Sequence, residues 1–253
     1  MTSLRPFTID FSRNQARAIR IEAGISAEAA LSALGVTDFT GAIVLHGGGM
    51  TMEPDLTARI TAFFREGLIP FAEKHRLLVA FGGTVGGTMG ALGDAYSQAA
   101  ATFPLVGVCP LPQVRFPGHP FERDTPFKPL FPAALRPVER FPLAEGAPYF
   151  VFIEHGPFGI ESRLISSIAG AFDRPGVGLV VNGGKIARDE VYMQADRRIP
   201  VITVPGSDRL ADELANPHSA IRESLPAHAA IYAAPLDQPE TLHNRLSALF
   251  TPA

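Results

Sequence analysis

Five glycine-rich turns carry the residues best suited to chemistry: HGGG at 46–49, GGTVGG at 82–87, HGPFG at 155–159, NGG at 182–184 and PGSD at 205–208. Glycine lets backbone N–H groups approach a ligand closely, because no side chain stands in the way. Each turn precedes a helical stretch, and a helix start presents unpaired N–H donors and the positive end of a dipole. Together these features predict an anion cradle suited to phosphates. The first turn offers His46, Gly47, Gly48 and Gly49; the second offers Gly82, Gly83, Thr84, Gly86, Gly87 and Thr88. Asn182, Gly183 and Gly184 come from the fourth, and Gly206 and Ser207 from the fifth. His46 and His155 each end a strand and can contact a ligand or act as acid and base; a half-buried structural histidine is the alternative.

The elements around these turns decide whether they can act together. Strand-like runs at 18–22, 41–46, 77–81, 104–110, 149–154, 177–182 and 199–204 alternate with helical spacing. The helices are expected at 26–34, 54–75, from the second glycine turn to about 101, to about 171, through 190, at 209–215 and at 239–250. That alternation predicts an α/β fold: a Rossmann-like, mostly parallel sheet with helices on both faces. In a parallel sheet every strand-to-helix turn lies at the carboxyl edge, so all five gather on one rim. We read residues 1–253 as one domain interrupted at about 110–148, where ten prolines exclude a continuous helix or central strand. Phe116, Phe121, Phe127, Phe131 and Phe141 suggest that this insertion packs down as a flap or an oligomer arm.

Composition narrows the function. With 22 Lys and Arg against 25 Asp and Glu, the net charge of −3 argues against a nucleic-acid partner. The lone Cys109 excludes a disulfide framework and a cysteine-rich zinc site. His218, His228 and His243 lack ligand spacing, so no metal is expected, and no cofactor. No apolar run approaches the roughly 18 residues of a spanning helix, and MTSLRPFTIDF lacks a signal peptide's apolar stretch. A soluble, cytoplasmic protein is the expectation. A dinucleotide fingerprint fails because Thr84 occupies its second glycine, and a Walker A loop fails because Thr88 follows Gly87 where lysine is needed.

GGTVGGTMG resembles the Gly-Gly-Gly-x-x-Gly-x-Met-Gly signature of the SLOG superfamily, which includes LOG-type phosphoribohydrolases and DprA-like proteins. Gly183-Gly184 followed by Glu190 keeps the spacing of the LOG signature Gly-Gly-x-Gly-Thr-x-x-Glu, with Ile186 and Ala187 at its Gly-Thr pair. LVVNGGKIARDEV and VITVPGSDRLADELA are similar to the SLOG branch of melastatin-type TRP channels and their prokaryotic relatives. That branch has Asn-Gly-Gly, a Glu, and then Gly-Ser-Gly-Arg-x-Ala-Asp. Arg209 and Asp212 fit the last motif, and Asp208 replaces its second glycine.

The resemblance covers about 41–215 and implies a nucleotide-type ligand at the rim. Enzymatic relatives cleave an N-glycosidic bond with an Arg and a Glu, which points to Arg163 and Glu190. Channel and antiphage relatives sense NAD-derived nucleotides such as ADP-ribose. Ile186 and Ala187 in place of the Gly-Thr pair favour a binder, acting as a homodimer or higher homo-oligomer with a separate effector protein. A base-releasing hydrolase is the alternative, and a pure assembly module a third. Glu190 has a plainer reading too, as a solvated helix residue paired with Arg188 or Lys185.

Overall fold

A computed structural model describes residues 4–12, 14–48, 52–119 and 140–250. β1 (Phe7–Asp10) pairs antiparallel with β2 (Gln15–Ile21) at one sheet edge. Next come α1 (Ala27–Leu34) and β3 (Ala42–Gly47). Ser26 caps α1 by accepting the Ala29 N–H at 3.2 Å, and Gly35 closes it in the left-handed region. α2 (Pro54–Phe63), a π-helical turn (Phe64–Leu68) and α3 (Ile69–Lys74) lead to β4 (Leu78–Phe81). α4 (Gly87–Gln98) and β5 (Leu105–Pro110) complete the first half.

Two short strands, β6 (Val114–Arg115) and β7 (Phe141–Pro142), pair parallel where the described parts of the proline-rich insertion meet. Phe121, Phe127 and Phe131 lie outside the described residues. The chain continues with β8 (Tyr149–Ile153), α5 (Ser162–Ile168), β9 (Gly176–Val181), α6 (Lys185–Asp196) and β10 (Val201–Thr203). It ends with α7 (Leu210–Ala215), α8 (Ala220–Ser224), β11 (Ile231–Ala233) and α9 (Pro239–Phe250).

The nine-stranded sheet has the order β1-β2-β8-β5-β4-β3-β9-β10-β11, and every pairing except β1–β2 is parallel. This is the expected α/β, mostly parallel, Rossmann-like sheet. Alternate side chains enter opposite layers: Ile43 and Leu45 pack with Phe63, Phe81 and Leu92, whereas Ala42 and Val44 pack with Leu164 and Ile165. Helices therefore cover both faces. Val180 joins Ala187, Val191 and Leu210 in a third apolar cluster.

Several short elements differ from expectation, among them β6, β7 and α8. β1 and β11 are added at the sheet edges, where short strands give little sequence signal. The helix expected over 54–75 contains a π turn, in which the Ile69 N–H donates to Phe64 O. Pro70 explains it: lacking an N–H, it cannot supply the regular bond at that point. No helix among the described residues is long and apolar enough to cross a membrane.

From β3 the chain steps through β4 to β5 in one direction along the sheet; from β9 it steps through β10 to β11 in the other. β3 and β9 are neighbours, with His46 opposite Val180 and Gly47 opposite Val181. Their carboxyl ends form the topological switch point, where open α/β sheets bind ligands.

Candidate functional site

Glu190 is the centre of the site. It lies on α6, buried, with two donors on its carboxylate. His46 Nδ1 is 2.9 Å from Glu190 Oε2, and Ser162 Oγ donates to Oε1 at 2.8 Å. Gln194 Nε2 lies 3.3 Å from His46 Nε2, and the Glu190 carboxylate, an acceptor, takes the Nδ1 proton in a hydrogen bond. Four residues thus tie α6 to β3 and α5 through a polar layer between two apolar clusters. A solvated pairing of Glu190 with Arg188 or Lys185 does not occur; Arg188 pairs with Glu213 instead. Gly178 makes room for the imidazole, since a Cβ there would stand 3.3 Å from His46 Nε2.

Glu190 faces a cavity of about 280 Å³ over the strand ends, lined by Leu45, Gly47, Gly82, Thr84, Met89, Phe141, Phe158, Glu161, Ile165 and Ile186 as well. Glu161 supplies a second buried carboxylate. Its Oε2 accepts the Gly159 N–H at 2.8 Å. Burial is the main cause that pushes Glu161 up to about 7; the backbone N–H groups of Glu161 and Gly159 oppose the shift, and the Glu190 charge adds to it. Phe141 and Phe158 meet edge to face at 5.5 Å beside the carboxylates. A larger groove of about 990 Å³ runs along α4 and residues 144–149, but shares only Val85 with the glycine-rich turns.

The turns of the rim are held together by their own hydrogen bonds. Thr88 is fully buried, and its N–H donates to Gly48 O while its hydroxyl donates to Val181 O. Gly82 N–H donates to Met89 Sδ at 3.3 Å. The returning arm of the insertion crosses the second turn: Val85 N–H donates to Pro142 O, Ala144 N–H donates to Gly83 O, and Thr84 bridges Leu143. Gly86 O accepts from Met89 and Gly90 at the start of α4, which begins at Gly87. Several N–H groups expected to face an anion are therefore already used.

The fourth and fifth turns are joined in the same way. Asn182, in the left-handed region at φ 57°, donates its N–H to Ser207 Oγ and its side-chain amide to Ser207 O. Asp212 accepts the Gly206 N–H at 2.6 Å. Asp208, with φ 69°, also lies in the left-handed region.

The start of α6 differs from these turns. No side chain caps this twelve-residue helix, and the Arg209 guanidinium stands over Gly184, with Nη2 3.3 Å from where a Cβ would be. Gly183 needs its φ of 87° to pass Leu210 and Ala187.

Of the expected residues, Gly47, Gly82, Thr84 and Glu190 line the cavity, and His46 lies directly behind Glu190. His155 is exposed and is not among the lining residues. Arg163 is likewise exposed; its neighbour Ser162 is the residue that reaches Glu190. Gly49 lies outside the described residues. Sequence reasoning did not single out Glu161, Ser162 and Gln194. Helical spacing could have found Glu161, because 161, 164, 165 and 168 share the apolar face of α5 and 163 does not. No group of three or more potential metal ligands occurs among the described residues.

A Rossmann-like sheet with a carboxylate-bearing cavity at its switch point defines the class. A family model described as "SLOG in TRPM, prokaryote" matches residues 41–244, and the chain belongs to that family. Among solved structures it is similar to the molybdenum cofactor binding protein from the phototrophic bacterium Rippkaea orientalis, at 14% identity and a TM-score of 0.51. That match covers 85% of this chain and 100% of the other, and it shows the shared fold. No curated protein matches the chain.

Proposed function

We propose that the chain binds a nucleotide or an NAD-derived ligand such as ADP-ribose at the carboxyl rim of the sheet. One observation carries this reading: the cavity at the β3–β9 switch point adjoins the uncapped start of α6, with Arg209 beside it. The cavity suits an uncharged or electron-poor portion of the ligand, while helix N–H groups and a guanidinium suit phosphate. A sensor of this kind calls for homo-oligomer contacts or a separate effector protein. Native mass spectrometry after incubation with NAD, ADP-ribose, cyclic ADP-ribose and AMP tests it. Retention of one intact ligand is expected; no retention across the panel overturns the reading.

Hydrolysis is the second reading, favoured by the orientation of Glu190. Breaking an N-glycosidic bond develops positive charge on the ribose carbon, which a held carboxylate stabilises while it orients water. His46 and Ser162 fix such a carboxylate from behind. Free base and ribose phosphate in the same spectra are the expected signature. Base release unchanged in Glu190→Gln overturns the assignment.

A further inference from the structure

We infer that the cavity selects a planar, positively charged nitrogen heterocycle, of the pyridinium class, and excludes the phosphate part of its ligand. This deepens the ligand-binding reading above and rests on it. Among the described lining residues there are two carboxylates, Glu161 and Glu190, and no Lys, Arg or His. Both carboxylates belong to buried residues, and no ion pair joins Glu161 to a cation among the described residues. In a cavity walled largely by apolar side chains an ionised carboxylate repels an anion and attracts a cation more strongly than it would in water.

The rest of the lining sets the shape. Phe141 and Phe158 meet edge to face, and Met89, Ile165 and Ile186 add broad apolar surface around them. Aromatic faces attract cations through the ring quadrupole, and a flat ring fits a slot between aliphatic side chains. An ammonium ion would leave that apolar surface unused, whereas a charged heterocycle uses both features. Phosphate is assigned outside the cavity, at α6 and Arg209.

The environment of Glu161 agrees with this assignment. Its carboxyl is pushed up to about 7, chiefly by burial, and Glu190 and the Cys109 thiol on β5 are the titratable groups that face it. A cation entering the cavity supplies the missing partner for its charged form, so binding releases a proton.

The test uses two rings of nearly the same shape, 1-methylnicotinamide, which is cationic, and nicotinamide, which is neutral. Each is titrated into the full chain by calorimetry at pH 7. The cation is expected to bind about tenfold more tightly, and Glu161→Gln to reduce that preference to about threefold or less. Equal affinity for the two rings, or no saturable binding of the cation, overturns the inference. Wild-type protein needs no variant to fold for that comparison. Retention of a nucleotide in the mass spectra without any preference for the charged ring overturns the charge selection alone and leaves nucleotide binding intact.

Discussion

His46 and Glu190 are 144 residues apart in sequence and 2.9 Å apart in the fold, with His46 fully buried. The imidazole donates to one oxygen of the carboxylate whose other oxygen accepts from Ser162. His46 is therefore a positioning residue: it sets where the Glu190 carboxylate stands relative to the cavity and does not itself line it. A carboxylate bound on its far side cannot rotate away from a ligand on its near side.

Removing that support tests the relationship. His46→Ala leaves a void and deprives a buried carboxylate of a donor, and a loss of roughly 2–4 kcal/mol in urea unfolding is expected. Ser162→Ala removes one hydrogen bond with little volume and is expected to cost about 1 kcal/mol. The two effects converge on one carboxylate, so the double variant should depart from additivity. Strict additivity would mean that the donors act independently and that Glu190 is not held by them as a unit.

Glu161 makes stability depend on pH in an unusual direction for a carboxyl. Burial first, then the nearby Glu190 charge, raise it from an ordinary 4.5 to about 7. The folded chain then holds the proton more tightly than the unfolded chain. Its contribution is fully present below about 4.5 and is lost as pH rises through about 7, by roughly 3 kcal/mol. Glu161→Gln should flatten this part of the profile and leave the variant more stable than wild type at pH 8. Denaturant unfolding across pH 4 to 8 measures it, and identical profiles for the two proteins would rule the effect out.

The sheet was readable because its central strands are runs such as AIVLH, LLVAF and YFVFIE, broken by glycine and proline at the rim. β11 was not, since IYA is too short to show a period and acquires its role by pairing with β10. At the site, Glu190 was found through motif spacing, whereas Glu161 and Gln194 were not. Gln194 acts through His46, 148 residues away, which neither residue type nor local spacing reveals, whereas the helical spacing of α5 marks Glu161 on its buried face. Arg163 is the candidate arginine because it lies on the helix before α6, just after the 155–159 turn, but on α5 it is exposed. The glycine turns follow the carboxyl ends of parallel strands, yet several of their N–H groups bind one another's carbonyls and side chains.

Gly47 couples the cavity floor to the start of α4. A Cβ there would lie 2.6 Å from Met89 Cε and 2.9 Å from Thr88 Cβ, and Thr88 is held by bonds to Gly48 and Val181. Met89 can turn aside; Thr88 cannot without losing them. Gly47→Ala is expected to cost about 1–3 kcal/mol in unfolding experiments and to narrow the cavity that Met89 lines. An unchanged urea midpoint would show that α4 shifts freely and that the contact is not restrictive.

Arg209 combines strain with charge. Its backbone sits at φ 58° and ψ −130°, a region that favours glycine, while its guanidinium stands over the start of α6. A residue held this way costs about 1–3 kcal/mol, and such strain is common where a side chain serves a ligand. Arg209→Gly is expected to raise stability by about 1 kcal/mol and to weaken AMP binding by about tenfold. Arg209→Ala keeps the β carbon, so it should lose the binding without gaining the stability. Urea unfolding and calorimetric titration of the two variants separate these effects. A glycine variant no more stable than the alanine variant would show that the backbone there is not strained. Unaltered AMP affinity in both variants would remove the guanidinium from the phosphate site.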